Sequence, residues 1–391
     1  MQRHRKSKLE MKKHFRIEVS EEILQDINTK VKNYSWHEMP DDGGWEYGTN
    51  LEYMKEFSDY WVNKFDWRKT EKQINKFQNF KSKIDGIDIH FIHEKGSGLN
   101  PKPLLLSHGW PGSIVEFLHI IDKLAHPEKF GGKEEDAFDV VVPSLPGYGF
   151  SGRPSRPIGP RIMASIFNSL MTKVLGYKKY IAQGGDFGGS IATWLAYDHP
   201  KSCSAIHINI LIVRHPDGPQ TKEEKEWEKR FEKNQTIENG YRTQQATKPQ
   251  TLSYAMMDSP VGVAAWIIEK MRGWSDIKNG DIESVYSKDT LLSNIMVYLV
   301  TKSFNTASWI YYGRRNEGGR YLPKEGLPIK VPTAVALFPK EYLEWAPRTY
   351  VERIYNINRW SEMPRGGHFA ALEQPDLLVN DIREFGKIEF Q

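Results

Sequence analysis

The stretch Tyr180-Ile-Ala-Gln-Gly-Gly-Asp186-Phe-Gly-Gly-Ser190-Ile-Ala-Thr-Trp-Leu-Ala196 decides how the chain folds. A short apolar run stops at Gly184-Gly185, one acidic residue follows, and Phe187-Gly188 opens a helical pattern. Small residues on both sides of Asp186 permit a sharp strand-to-helix turn that pushes a single side chain into the open. Working outward, the alternation repeats. Leu104-Leu-Leu106 leads into His108-Gly-Trp-Pro-Gly112, then a helix from Ile114 to Leu124; Val140-Val-Val142 leads into Pro143-Ser-Leu-Pro-Gly-Tyr-Gly149; Ala205 to Ile210 is a further run. Strands alternating with helices predict an α/β fold with a mostly parallel sheet, its ligands bound beyond the carboxyl ends of the strands.

The alternation stops near residue 215. Lys222 to Lys233 reads as a solvated helix face, and helices rich in aromatics follow, with Trp266, Trp274, Phe304, Trp309, Tyr311 and Tyr312. Strand patterning resumes at Pro332–Phe338 and around Tyr350–Asn356. Ahead of the sheet the chain is mostly helical. Ser20 is an N-cap with Glu21 and Glu22 behind it, and a second helix after Asn50 buries Tyr53, Phe57, Tyr60 and Trp61 at spacings of three and four. Asp85-Gly86 between alternating runs predicts a hairpin. The expected organisation is a mostly helical extension over 1–95, a sheet domain over 96–214 and 326–391, and a helical lid inserted over 215–325.

Charge and composition exclude several classes. Of 391 residues, 39% are hydrophobic and 27% charged, which supports a sizeable core and argues against disorder. No apolar run approaches the ~18 residues of a membrane span, and the basic N-terminus lacks the apolar stretch of a signal peptide. Cys203 is the only cysteine, so neither an intrachain disulfide nor a cysteine metal cluster can form. The net charge is +4. Residues 1–14 carry six Lys or Arg and one Glu, so the rest of the chain sums to −1. That balance does not support a nucleic-acid-binding body, and the basic arm reads as a solvated terminus. A soluble, cytoplasmic protein is expected; a homodimer is left open.

Asp186 at the exposed turn is a carboxylate suited to attack an electrophilic sp³ carbon, giving an alkyl ester that must then be hydrolysed. Gly366-Gly367-His368-Phe369 follows the final strand pattern. An imidazole there suits a general base near neutral pH. Glu341, three residues past Leu337-Phe338, is placed to orient it, with Glu344 as a weaker stand-in. The order Asp186, Glu341, His368 matches the nucleophile–acid–base order of Ser-Asp/Glu-His hydrolases, with aspartate in the first position. In the loop His108-Gly-Trp-Pro111, the Trp110 N–H can join the Phe187 N–H in an oxyanion hole, and Pro111 is a candidate cis residue.

His108-Gly-Trp-Pro-Gly-Ser113, Pro143-Ser-Leu-Pro-Gly-Tyr-Gly-Phe-Ser151, Gly184-Gly-Asp-Phe-Gly-Gly189 and Gly366-Gly-His-Phe-Ala-Ala-Leu-Glu-Gln-Pro375 together resemble the microsomal, juvenile-hormone-type epoxide hydrolases of the α/β-hydrolase fold. The likeness spans nearly the whole chain, extension included. Phe338-Pro-Lys-Glu341 is similar to the family's acid-bearing loop, Gly240-Tyr241 to the stretch carrying one lid tyrosine, and Ser308-Trp-Ile-Tyr-Tyr312 to the stretch carrying the other. Gly313-Arg314-Arg315 follows the pattern loosely, so Tyr311 stands as the alternative to Tyr312. The sequence shows no hydrophobic anchor like that of the microsomal members.

The resemblance implies hydrolysis of an apolar epoxide to a vicinal diol, with no metal or organic cofactor. Asp186 would open the ring while Tyr241 and Tyr312 donate to its oxygen; His368, oriented by Glu341, would then activate water. His108, Pro111 and Trp309 are expected to line the substrate pocket. A haloalkane dehalogenase uses the same kind of aspartate but commonly has an indole N–H beside it, which Phe187 lacks. A hydrolase-fold receptor without turnover is the non-enzymatic rival.

Overall fold

The apolar runs become strands of one sheet. The computed structural model describes residues 11–389, so residues 1–10 of the basic arm lie outside the described residues. Within it run β1 (Lys13–His14), β2 (Asn79–Ile84), β3 (Ile87–Glu94), β4 (Lys102–Ser107), β5 (Phe138–Pro143), β6 (Tyr180–Gly184), β7 (Cys203–Ile208), β8 (Ile329–Leu337) and β9 (Tyr355–Glu362). Their order is β1-β2-β3-β5-β4-β6-β7-β8-β9. From β5 to β9 every pairing is parallel, and β1, β2 and β3 add an antiparallel edge. Every residue of β5 and β6 is buried, as expected of strands covered by helices on both faces. The β2–β3 hairpin turns on Asp85 and Gly86, both at positive φ (49° and 85°), the geometry for which Asp-Gly is suited.

Local capping sets the first helices. Ser20 Oγ accepts from the Ile23 N–H ahead of the helix Glu21–Lys32, and Asn50 Oδ1 accepts from Tyr53 N–H ahead of Leu51–Asn63. Two elements differ from the sequence expectation. The helix expected from Ile114 to Leu124 is a 3₁₀ turn, Ile114–Phe117, followed by a short helix, Ile121–Ala125. The Glu116 and Leu118 N–H groups bond three residues back, to Ser113 and Val115. At Tyr350 a helical turn, Arg348–Glu352, precedes the strand, because the Tyr350 and Val351 N–H groups bond the carbonyl of Pro347.

Between β7 and β8 are inserted the helices Lys222–Glu238, Gly240–Thr247, Pro249–Met256, Pro260–Gly273, Lys288–Val300 and Phe304–Asn316. The charged first helix opens with a capping box, Thr221 with Glu224, and buries Trp227 and Phe231 on one stripe, so only its other face is solvated. The N-terminal helices brace this insertion. Thr49 Oγ1 donates to the Ala265 carbonyl at 2.7 Å, Tyr60 Oη to Asp289 at 2.9 Å, and the Thr70 and Ser293 hydroxyls pair at 2.7 Å. In turn the insertion grips the loop after β4: Asn294 Nδ2 donates to the Pro111 carbonyl at 2.8 Å and Tyr298 Oη to that of Gly112 at 2.7 Å. Among the described residues no helix is long and apolar enough to cross a membrane.

The turn between β6 and the helix Asp186–Asp198 is crowded by backbone. A Cβ on Gly188 would lie 1.8 Å from the Ser107 carbonyl oxygen, and one on Gly184 would lie 2.2 Å from the Gly188 carbonyl carbon. Gly188→Ala should therefore lower unfolding free energy by about 3 kcal/mol or more, because backbone cannot yield as a side chain can. Urea unfolding of the two proteins measures this; a loss below about 1 kcal/mol would mean the elbow is looser than its geometry.

Candidate active site

Asp186 occupies the elbow at φ +45°, a left-handed conformation that costs a non-glycine residue on the order of 1 kcal/mol or more. Only its local crowding and fixed partners hold it there. Its Oδ1 accepts the Trp110 N–H at 2.9 Å, and a Cβ on Gly109 would fall 2.2 Å from the same oxygen, so the loop must be glycine to come this close. Its Oδ2 stands 3.3 Å from His368 Nε2. That contact lacks hydrogen-bond alignment, and the buried Nε2 has no other partner among the described residues. On the far side of the ring, Nδ1 meets both oxygens of Glu341 at 2.9 Å, and Glu341 Oε1 also accepts the Leu343 N–H at 3.0 Å. The His368 N–H is tied to the Trp274 carbonyl at 2.9 Å. The imidazole therefore bridges two carboxylates and is clamped at its own backbone.

Burial alone would push the His368 pKa down. The Glu341 charge and its hydrogen bonds to Nδ1, together with the close Asp186 carboxylate, outweigh burial and raise it to about 10. Facing Asp186 is a wall of stacked rings. Trp110 lies flat on Tyr241 at 5.1 Å between centroids and edge-on to Tyr311 at 5.7 Å, and Tyr311 meets Phe187 edge-on at 4.8 Å. Tyr241, Tyr311 and Asp186 line one narrow cavity. Burial, then the Asp186 charge, hold the Tyr241 phenol above the ordinary tyrosine value; burial, then Tyr241 and Asp186, do the same for Tyr311. Both remain donors at neutral pH.

Asp186, His368, Glu341, Tyr241, Trp110 and Phe187 are brought together; other sequence choices are not. Tyr311, not Tyr312, enters the cavity. On the helix Phe304–Asn316 the buried face carries Phe304, Ala307, Ser308 and Tyr311, while Tyr312 is turned by one residue's rotation to a half-buried face. Trp309 shares that outer face three residues before Tyr312, and its indole donates to its own helix at Asn305 Oδ1, 3.1 Å away, rather than lining the pocket. His108 is fully engaged with backbone: it pairs with the Gly109 carbonyl at 3.0 Å and accepts the Leu145 N–H at 3.2 Å. Burial lowers its pKa to about 4, so it shapes the loop as a neutral ring instead of lining the cavity. Pro111 does follow a cis peptide, but it too is absent from the cavity walls. Glu344 pairs with Arg230 at 2.8 Å on the surface, away from His368.

Other side chains at the site gave no sequence signal. Tyr342 pairs hydroxyl to hydroxyl with Tyr241 at 3.1 Å and stacks on Trp274 at 4.2 Å. Glu116 lines a second narrow cavity with Trp110, Asp186 and His368, its carboxyl pushed up to about 8 by burial. Four arginines, Arg214, Arg242, Arg314 and Arg320, line the first cavity. Tyr342 directly follows Glu341 and Glu116 comes four residues after Gly112, but no spacing marks their side chains as site residues, and the arginines are scattered; only the fold assembles them.

A strained acidic elbow after a parallel strand, with a carboxylate-held histidine against it and helices inserted between β7 and β8, defines an enzyme of the α/β-hydrolase class. Two family models agree with the geometry: one described as epoxide hydrolase N terminus matches residues 12–117, and one described as alpha/beta hydrolase fold matches residues 102–261. The chain is 37% identical to epoxide hydrolase 1 of Sus scrofa over 96% of its own length and 89% of the relative's. It superposes on the juvenile hormone epoxide hydrolase of the silkworm Bombyx mori with a TM-score of 0.87 at 30% identity, covering 96% of this chain and 95% of that one. For the Aspergillus niger epoxide hydrolase the TM-score is 0.84 at 30% identity, with 96% of both chains covered. The chain belongs to the epoxide hydrolase family.

The bridged imidazole makes a stability prediction. A histidine whose pKa is raised in the folded state stabilises most below its unfolded value of ~6.5, and loses that contribution as pH rises toward its folded pKa of about 10. The difference in unfolding free energy between wild type and His368→Gln should accordingly shrink between pH 6.5 and 10. Urea titrations at four pH values read it, and a flat difference would contradict the bridge.

Proposed function

We propose that the protein hydrolyses an epoxide to a vicinal diol in two steps through a covalent ester on Asp186. The observation that carries this reading is one shared cavity: Asp186, fixed by Trp110 and beside His368, opposite the phenols of Tyr241 and Tyr311. In the first step an Asp186 oxygen bonds to an oxirane carbon and the C–O bond breaks. Negative charge moves to the former ring oxygen, where an unpaired anion would be costly, and Tyr241 and Tyr311 donate hydrogen bonds and a proton to it.

Esterification removes the Asp186 charge. The His368 pKa then falls, because only one of the two carboxylates that raised it remains; the ring gives its Nε2 proton to the phenolate left by the first step, and the neutral imidazole becomes a base for water. Glu341 keeps Nδ1 protonated and the ring in place. Hydroxide attacks the ester carbonyl and the Trp110 and Phe187 N–H groups hold the resulting oxyanion; collapse breaks the bond to the substrate oxygen, which takes the water-derived carboxyl proton, so the diol leaves and Asp186 is again a carboxylate. The cavity walled by Glu116 and His368 is a place for that water, with the protonated Glu116 carboxyl as a partner. The aromatic walls favour an apolar carbon frame around the oxirane.

Asp186→Asn should abolish diol formation from styrene oxide, while His368→Gln should stop after the first step and gain the mass of one substrate in intact-protein mass spectrometry. Loss of activity in His368→Gln without that adduct would contradict the ester; chloride release from chloroalkanes would favour dehalogenation. A second comparison concerns the phenols. Tyr311→Phe should lower kcat/KM by about 10²-fold, as loss of one such donor does, and Tyr312→Phe should change it less than twofold. The reverse pattern would return the role to Tyr312.

A further inference from the structure

Beyond the phenols, the route to Asp186 is unusually cationic. A vestibule of about 470 Å³ is lined by Arg242, Arg314, Arg315 and Arg320, and it shares Arg242, Arg314, Arg320 and Tyr311 with the narrow cavity that holds Asp186. Arg214 joins them on the inner wall. None of the five has a carboxylate within 4.0 Å among the described residues. The only acidic side chain on either wall is Asp186 itself.

These guanidiniums are held, yet under-used. Arg214 lies over Trp227 and Phe231 at 4.7 and 4.4 Å, Arg320 over Phe231 at 5.8 Å, and Arg314 over Phe187 at 5.9 Å. Their hydrogen bonds are few: Arg314 to the Ile212 carbonyl, Arg214 to that of Leu211, Arg242 to Asn239 Oδ1. Burial, then the charges of Arg320 and Arg242, lower Arg314 to about 10, and Asp186 opposes this. Guanidiniums gathered this way repel one another, as Arg320 and Arg242 do Arg314. Like charges collected around a substrate route, stacked on rings and without acidic partners, are the arrangement that takes up an anion by bidentate hydrogen bonds.

We propose that the arginine vestibule binds an anionic group at the far end of the substrate, so that this protein prefers epoxides carrying a carboxylate, or an anion of similar geometry, over neutral ones. The inference rests on the epoxide reading of Asp186. The stacked walls would hold the carbon frame, with the oxirane at Asp186 and the anion among Arg242, Arg314 and Arg320.

Three probes with one ω-epoxyalkyl chain test it, ending in a carboxylate, its methyl ester or a phosphonate. The carboxylate should show kcat/KM at least tenfold above the ester, mainly through KM, and 1 M NaCl should lower that ratio at least threefold by screening. In Arg242→Gln and Arg320→Gln the ratio should fall toward one, and Arg320→Lys should restore part of it. A phosphonate preferred to the carboxylate supports the anion site and assigns it to phosphate-like groups. An ester turned over as well as the acid, or a preference unchanged in both variants, overturns the proposal while leaving the epoxide reading intact. If no probe is hydrolysed, the epoxide reading fails. Calorimetric binding of the saturated carboxylate, expected to weaken at least tenfold in Arg320→Gln, then still decides the anion site; equal binding would overturn it.

Discussion

The structure turns on the close approach of two backbone segments: the loop after β4 and the elbow after β6. Gly109 and Gly188 make that approach, and Asp186 accepts a left-handed conformation because of it. The result is a carboxylate with one oxygen pinned to the Trp110 N–H and the other turned toward His368. Strain of this kind persists only where surroundings over-determine it. Here those surroundings extend outward in order: the parallel strands fix both loops, the inserted helix Lys288–Val300 grips Pro111 and Gly112, and the N-terminal helices brace the insertion.

Electrostatically the site is a chain of shared protons. Glu341, His368 and Asp186 place one imidazole between two carboxylates, a resting state that favours a protonated ring. Any chemistry that neutralises one carboxylate shifts the ring toward its basic form. A two-step reaction needs that alternation, and no moving part is required to supply it. The phenols opposite are kept protonated by the same burial that makes an unpaired anion expensive there.

Much of this was legible in the residues. The strand-glycine-aspartate-glycine-helix pattern placed Asp186, the Gly-Gly before His368 marked a strand-end loop, and Glu341 followed from the end of β8. What failed is equally physical. Within Phe304–Asn316 the four consecutive residues Trp309-Ile-Tyr-Tyr312 are all apolar or aromatic, so they fix no helix phase by themselves; choosing Tyr312 rather than Tyr311 also carried Trp309 to the wrong face. His108 reads as a pocket residue from its motif, but its ring satisfies backbone groups across the sheet, a contact that exists only after folding. The arginines come from separate parts of the chain, residues 214, 242 and 314–320, and no local spacing announces that they will meet.

The direct test of a bond between Asp186 and substrate carbon is a single turnover in H₂¹⁸O with enzyme in excess, followed by peptide mapping and mass analysis of the diol. If the aspartate forms the ester and water attacks its carbonyl, the heavy oxygen resides in the Asp186 carboxyl group and the diol leaves unlabelled. If the diol carries the label and the peptide containing Asp186 does not, water attacks the epoxide itself and the account is wrong.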